Sequence, residues 1–157
     1  MHWTTYDSPL GPLTLTAEES RITAIRFPGR DDDLDPADRA EAPFAALRAQ
    51  LDEYFAGERH TFDLPLDLRG TEFQRAVWEQ LRAIPYGETT TYGTIAWALG
   101  RMDRVRAVGA AVGRTPVPIV VPCHRVLGSD GSLTGYGGGL DRKQALLDLE
   151  GGRLALL

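Results

Sequence analysis

The 157-residue chain predicts an α/β protein: a small N-terminal antiparallel sheet with one helix, then a mostly helical C-terminal half containing a helix-turn-helix. Three observations carry that expectation. Short runs of period-two alternation, split by Pro and Gly, occupy residues 1–68. Apolar residues at helical spacing, with recognisable helix starts and stops, fill residues 69–157. The charge divides at the same place: six arginines against fourteen carboxylates give −8 before it, and eleven Lys and Arg against eight carboxylates give +3 after it. We therefore expect a scaffold domain over 1–68 and a functional domain over 69–157. The hydrophobic fraction, 43%, is enough for packed cores rather than disorder.

In the first half, Trp3 to Tyr6 and Leu13 to Thr16 read as strands joined by the turn Ser8-Pro9-Leu10-Gly11-Pro12. Arg21 to Phe27 alternates like a third strand, and Asp31-Asp32-Asp33-Leu34-Asp35-Pro36 is an acidic loop. Phe44, Leu47, Leu51, Tyr54 and Phe55 then recur at helical spacing up to the breaker Gly57. His60 to Leu68 alternates again and is expected to return to the sheet. Nothing in this half carries chemistry.

In the second half, Thr71 is placed to cap a helix bearing Phe73, Val77, Trp78 and Leu81, and Gln74 completes a capping-box pattern. Ile84-Pro85-Tyr86-Gly87-Glu88 ends it. Thr91 opens a short helix with Tyr92, Ile95, Ala96 and Leu99, stopped by Gly100; a turn then leads to a third helix, roughly Arg104 to Gly113. Two short helices around a tight turn match a helix-turn-helix. The third helix, Arg106-Ala107-Val108-Gly109-Ala110-Ala111-Val112-Gly113-Arg114, is nearly all small residues between arginines. Glycine inside a helix costs about 1 kcal/mol relative to alanine, so a closely approaching surface is implied, either another helix or a nucleic-acid groove. Residues 89–126 hold five arginines against Asp103 alone, a basic patch suited to phosphates, although a solvated helix face would look the same.

The single cysteine lies in Pro122-Cys123-His124-Arg125-Val126, directly after the apolar run Val117-Pro118-Ile119-Val120-Val121, which reads as a buried strand. It cannot form an internal disulfide or a multi-cysteine metal site. Beside a histidine it is a candidate nucleophile, because the thiolate is the reactive form; the alternative is a small buried apolar residue. No run approaches the roughly 20 apolar residues of a membrane span. The residues from Met1 to Thr5 lack signal-peptide character, and the lone cysteine fits the reducing cytoplasm. No metal or cofactor is expected, since Cys123 with His2, His60 and His124 forms no ligand pattern.

These motifs together resemble the O6-alkylguanine-DNA alkyltransferases. The resemblance runs through Ile84-Pro85-Tyr86-Gly87-Glu88, Thr91-Tyr92, Arg106-Ala107-Val108-Gly109, the segment from Pro116 to Val126, Thr134-Gly135-Tyr136-Gly137-Gly138-Gly139, Lys143, Leu146-Leu147 and Glu150. It implies single-turnover repair, in which Cys123 irreversibly takes the alkyl group from O6 of guanine, and also from O4-alkylthymine. It makes His124 the base, acting through a bridging water, and Glu150 the carboxylate that orients it. From the residues alone, Glu150 would be a surface carboxylate near a helix end. Tyr92 resembles the family tyrosine that donates to the departing base. Val126 with the Cys123 carbonyl would read the base edge. Tyr136, Gly137 and Gly138 would close the pocket.

The implied partner is alkylated double-stranded DNA, bound through the minor groove by a monomer, with no membrane. The base would be flipped out, with Arg106 filling its place and Ala107, Gly109 and Ala110 allowing close approach; Arg114 and Arg125 complete the expected DNA contacts. One departure stands out: Thr115 occupies the position of the family's usual asparagine, which braces the turn before the cysteine. A hydroxyl replaces only part of an amide's hydrogen bonding, so a less rigid site is expected. Three other readings compete with this one. A lesion-binding protein without chemistry would lack the acceptor cysteine. A helix-turn-helix regulator would favour polar base-reading side chains over small ones around Arg106. A cysteine hydrolase would turn over without retaining the group.

Overall fold

In the computed structural model the chain is described over residues 1–29 and 33–151, so Asp31 and Asp32 of the acidic loop lie outside the described residues. It forms two compact units, Met1–Arg69 and Gly70–Leu157. No helix among the described residues is long and apolar enough to cross a membrane.

The first unit is an antiparallel sheet in the order β1 (His2–Ser8), β2 (Gly11–Glu18), β3 (Arg21–Arg26), with helix α1 (Ala45–Phe55). Ser8 pairs with Gly11 across the first turn, and the Ser8 hydroxyl donates to the Gly11 carbonyl at 2.6 Å. The second hairpin turns through Glu19 and Ser20, both in the left-handed region (φ 48° and 67°), the geometry whose twist matches paired strands. The central strand is buried from Leu13 to Ala17, and Leu47, Leu51, Tyr54 and Phe55 bury the inner stripe of α1. The segment from His60 to Leu68 forms no strand. It touches the sheet at one bridge, Ile22 with Leu66, because Pro65 has no N–H to extend a ladder; its carbonyl only accepts from Ile22. After residue 32, Asp33 pairs with Arg26, and Asp35 caps a short helical turn over Pro36–Asp38.

The second unit begins with α2 (Glu72–Arg82), whose expected capping box forms in full: Gln74 N–H donates to Thr71 Oγ1 at 3.1 Å, and Thr71 N–H donates to Gln74 Oε1 at 2.9 Å. Helix α3 (Tyr92–Ala98) is capped by Thr91 and ends where Arg101 N–H reaches back to the Ala96 carbonyl, with Gly100 in the left-handed region. A 3-10 turn over Met102–Arg104 precedes α4 (Val105–Gly113), so Arg104 lies in the turn rather than in the helix. Val108, Ala111 and Val112 form the buried stripe of α4, and Trp78 Nε1 donates to the Ala111 carbonyl at 2.8 Å, tying α4 to α2.

The run Val117–Val121 is not a strand. Pro116, Pro118 and Pro122 remove three backbone donors in seven residues and fix φ. The chain instead folds into a buried turn: Val121 N–H donates to the Val117 carbonyl, and Ile119 is forced to φ 74°, a costly conformation for a β-branched residue. Cys123–Arg125 then makes one 3-10 turn. Strand β5 (Val126–Leu127) follows and pairs in parallel with β4 (Thr90–Thr91). That two-residue ladder joins the start of α3, where Tyr92 follows β4, to the strand that leaves the cysteine turn. Helix α5 (Leu140–Glu150) ends the described chain and buries Lys143, Leu146 and Glu150 along one side.

Candidate active site

The cysteine turn buries three consecutive functional side chains. Cys123 is 5% exposed, and His124 and Arg125 lie fully or almost fully inside. Burial pushes the Cys123 thiol up to about 11, against smaller opposing effects from hydrogen bonds with Thr115 and Tyr136 and from the Lys143 charge. The resting side chain is therefore a neutral, shielded thiol. Reaction requires a base.

Glu150 supplies the geometry for that base. It is 6% exposed, so its reading as a surface carboxylate is overturned: the 3.6-residue repeat that buries Lys143 and Leu146 carries it inward too. Its carboxylate bonds His124 Nε2 at 2.6 Å and accepts from Arg125 Nε at 2.7 Å and Nη2 at 3.0 Å. Burial alone would raise this carboxyl, but the hydrogen bonds from His124 and Arg125 outweigh it and hold the group at about 2. Burial lowers the His124 pKa and, together with the Arg125 and Lys143 charges, outweighs the upward pull of Glu150, so the imidazole rests neutral. An ionised carboxylate can only accept. Nε2 therefore carries the proton, and Nδ1 keeps its lone pair. Nδ1 is buried and makes no hydrogen bond to a described protein group. It is a basic lone pair on the residue next to the thiol-bearing one.

Arg125 is a correction. The sequence places it at the DNA, yet it is 6% exposed, and its guanidinium bonds to buried groups. Besides Glu150 it donates to the Ile84 carbonyl at 2.6 Å, and its guanidinium carbon lies 5.7 Å from the Tyr86 ring centre. The guanidinium fork is thus buried against the carboxylate that orients His124, not presented to a phosphate at the surface.

The other expected contacts separate cleanly by exposure. Arg106, Ala110 and Arg114 are exposed at a spacing of four along α4, which places them on one face. Ala107 and Gly109 are half-buried, and a Cβ on Gly109 would lie 3.8 Å from the Tyr92 ring. That is ordinary van der Waals contact, so the Tyr92 ring does not by itself require a glycine there. Tyr92 is half-buried at the start of α3, with its hydroxyl directed to Thr134. Tyr136 is half-buried with its hydroxyl toward Cys123, Gly137 is exposed and Gly138 buried. Val126 is buried; its N–H donates to the Cys123 carbonyl, and its carbonyl accepts Lys143 Nζ at 2.6 Å. Thr115 donates to the Val112 carbonyl at 2.7 Å and also meets the thiol, so its hydroxyl links the end of α4 to Cys123.

Two residues had no assigned role in the sequence. Lys143 is fully buried, and Nζ bonds the Val126 carbonyl and, at 2.8 Å, the Thr134 carbonyl. Among the described residues no carboxylate pairs with it; burial lowers its pKa, and the nearby Cys123 offsets this in part. The signal was present: Lys143 stands three and seven residues before Leu146 and Glu150, on the same helical face. Thr134 gave no such signal, because its partners come from α3 and α5.

Similarity to known proteins identifies the family. Residues 1–68 match the family model for the 6-O-methylguanine DNA methyltransferase, ribonuclease-like domain, and residues 72–152 match that for the DNA binding domain of the same enzyme. A methylated-DNA--protein-cysteine methyltransferase of Mycobacterium bovis is 50% identical over 157 residues, covering 98% of this chain and 94% of its own. The constitutive enzyme of that description from Bacillus subtilis is 46% identical, covering 95% and 94%. A Mycobacterium tuberculosis relative crystallised in complex with DNA superposes with a TM-score of 0.92 at 48% identity, covering 99% of this chain and 97% of that one.

Arg125 gives the sharpest test of the site. Arg125→Gln leaves a buried carboxylate short of its cation, a loss of about 3–5 kcal/mol that thermal denaturation will register. Its DNA affinity and salt dependence are expected to match the unsubstituted protein, measured at a temperature where the variant is folded. Arg114→Gln, by contrast, is expected to reduce the salt slope by about one. A normal melting temperature with weakened DNA binding in Arg125→Gln would return that residue to the DNA interface.

Proposed function

The chain belongs to the methylated-DNA--protein-cysteine methyltransferase family, and we propose that Cys123 is the acceptor through which it repairs O6-methylguanine in DNA. The observation that carries this assignment is the bare Nδ1 of a buried, neutral His124, held in one tautomer by Glu150 beside the chain's single thiol.

The chemistry follows from those groups. His124 Nδ1 takes the thiol proton through a bridging water, and Glu150 stabilises the imidazolium that forms. The thiolate attacks the alkyl carbon: the S–C bond forms as the C–O6 bond breaks, and the electron pair stays with guanine. Tyr92 donates a proton or hydrogen bond to the departing base, reducing the charge that builds there. Tyr136 and the glycines at 137 and 138 bound the pocket, and the backbone at Val126 and Cys123 meets the base edge. The product is a thioether with no route back to thiol, so each molecule acts once and needs no cofactor. O4-alkylthymine presents the same alkyl–oxygen bond and is a second substrate on this reading.

In this reading residues 69–157 bind DNA and accept the alkyl group, residues 1–68 are scaffold, and the protein acts as a cytoplasmic monomer. A base within a duplex cannot reach a thiol this deeply buried, so the nucleotide must be flipped. The exposed face of α4 supports minor-groove approach, with Arg106 entering the vacated stack and Ala110 and Arg114 beside it. Thr115 takes the brace position, its hydroxyl joining Val112 to Cys123 where an asparagine would add a second arm.

Mass spectrometry after incubation with a duplex containing O6-methylguanine is expected to show one added methyl group, on the peptide containing Cys123. Repeated turnover with unmodified protein would overturn the assignment. Arg106→Ala is expected to slow transfer from the duplex strongly while leaving transfer from the free base O6-benzylguanine unchanged. Equal slowing of both would mean that Arg106 supports the fold rather than base flipping.

A further inference from the structure

Thr134 meets Tyr92 twice. Its carbonyl accepts the Tyr92 hydroxyl at 3.2 Å, and its own hydroxyl donates to Tyr92 Oη at 3.2 Å. The same carbonyl accepts Lys143 Nζ at 2.8 Å, and Lys143 is wholly buried. A cation bonded to that carbonyl draws electron density from it and weakens it as an acceptor for the phenol. Tyr92 is thus held by a partner it can leave, and by a donor that remains.

Resting on the reading that Tyr92 donates to the departing guanine, we propose that Thr134 is the positioning residue for that donation. Before substrate enters, its carbonyl holds the phenol proton and fixes the ring. When the base arrives, the phenol turns its proton toward guanine, while the Thr134 hydroxyl continues to donate to Oη. As the C–O6 bond breaks, guanine takes the bonding pair and a proton from Tyr92, and negative charge develops on Oη. A hydrogen bond to a charged oxygen is roughly twice as strong as one to a neutral oxygen. The Thr134 bond therefore strengthens in the transition state, which is the condition for raising a rate rather than only an affinity. Afterwards the phenol oxygen regains a proton from water, and the His124 imidazolium returns the thiol proton to water. Protons and electrons balance with no further reactant.

Thr134 is exposed, so the isosteric Thr134→Val removes one hydroxyl and leaves the backbone carbonyl in place. The test measures the single-turnover transfer rate constant and the DNA dissociation constant separately, on a duplex carrying one O6-methylguanine. The proteins are the unsubstituted chain, Thr134→Val, Thr134→Ser, Tyr92→Phe and the Thr134→Val/Tyr92→Phe double variant. Thr134→Val is expected to slow transfer about tenfold with unchanged DNA affinity, the size of one charge-assisted hydrogen bond. Thr134→Ser should restore most of the rate, and Thr134→Val should cost nothing further once Tyr92 is Phe. If Tyr92→Phe transfers at the normal rate, the role of Tyr92 falls, and that of Thr134 with it. If Tyr92→Phe is slow but Thr134→Val slows both backgrounds equally, or if Ser fails to rescue, only the Thr134 proposal falls.

Discussion

The site depends on one buried carboxylate. Glu150 lies inside the second unit with its charge intact, and it does so because two partners reach it together: His124 at 2.6 Å and the Arg125 fork at 2.7 and 3.0 Å. An unpaired carboxylate at that depth would take up a proton instead. The paired one fixes the imidazole, since an oxygen that only accepts dictates which ring nitrogen carries hydrogen. Arg125 extends the constraint by bonding the Ile84 carbonyl beyond the end of α2. Helix α5, the cysteine turn and the segment after α2 thus meet at one ion.

The scaffold around the thiol serves the same end. Three prolines and the left-handed Ile119 prevent the chain from forming a strand, and the resulting turn holds Cys123 under cover with its thiol raised to about 11. A thiol in that state is slow toward oxidants and stray alkylating agents, because little thiolate is present. For a protein that spends itself in one reaction, low resting reactivity has an evident use. Lys143 adds a cation near the sulfur without crossing it with a carboxylate, so it favours the thiolate when the proton leaves.

Much of this was legible in the sequence, for identifiable reasons. The capping box at Thr71 and Gln74, the hairpins and the helix-turn-helix formed because local hydrogen bonding and period alone decide them. Failures came where distant chain segments decide. The run from Val117 to Val121 has the composition of a strand, but proline donors are missing where a ladder would need them. The residues from His60 to Leu68 alternate correctly and still make one bridge, with Pro65 at the sheet. Arg125 looked like a phosphate ligand because a sequence shows charge but not the direction in which a guanidinium points. The contacts of Thr134 with Tyr92 and Lys143 join residues 42 and 9 positions away, and no periodicity encodes them.

The central claim, that burial keeps His124 neutral while Glu150 fixes its proton on Nε2 and leaves Nδ1 bare, can be read directly by nitrogen-15 NMR of histidine-labelled protein. At neutral pH His124 is expected to show a protonated Nε2 and an unprotonated Nδ1. Because burial lowers its pKa, that pattern should persist as the pH falls through the ordinary histidine value of 6.5. His2 and His60 supply the other two histidine signals, recorded in the same spectra. An imidazolium at neutral pH, or a proton on Nδ1 with Nε2 bare, would contradict the account, because neither form could accept the thiol proton at the position the structure provides.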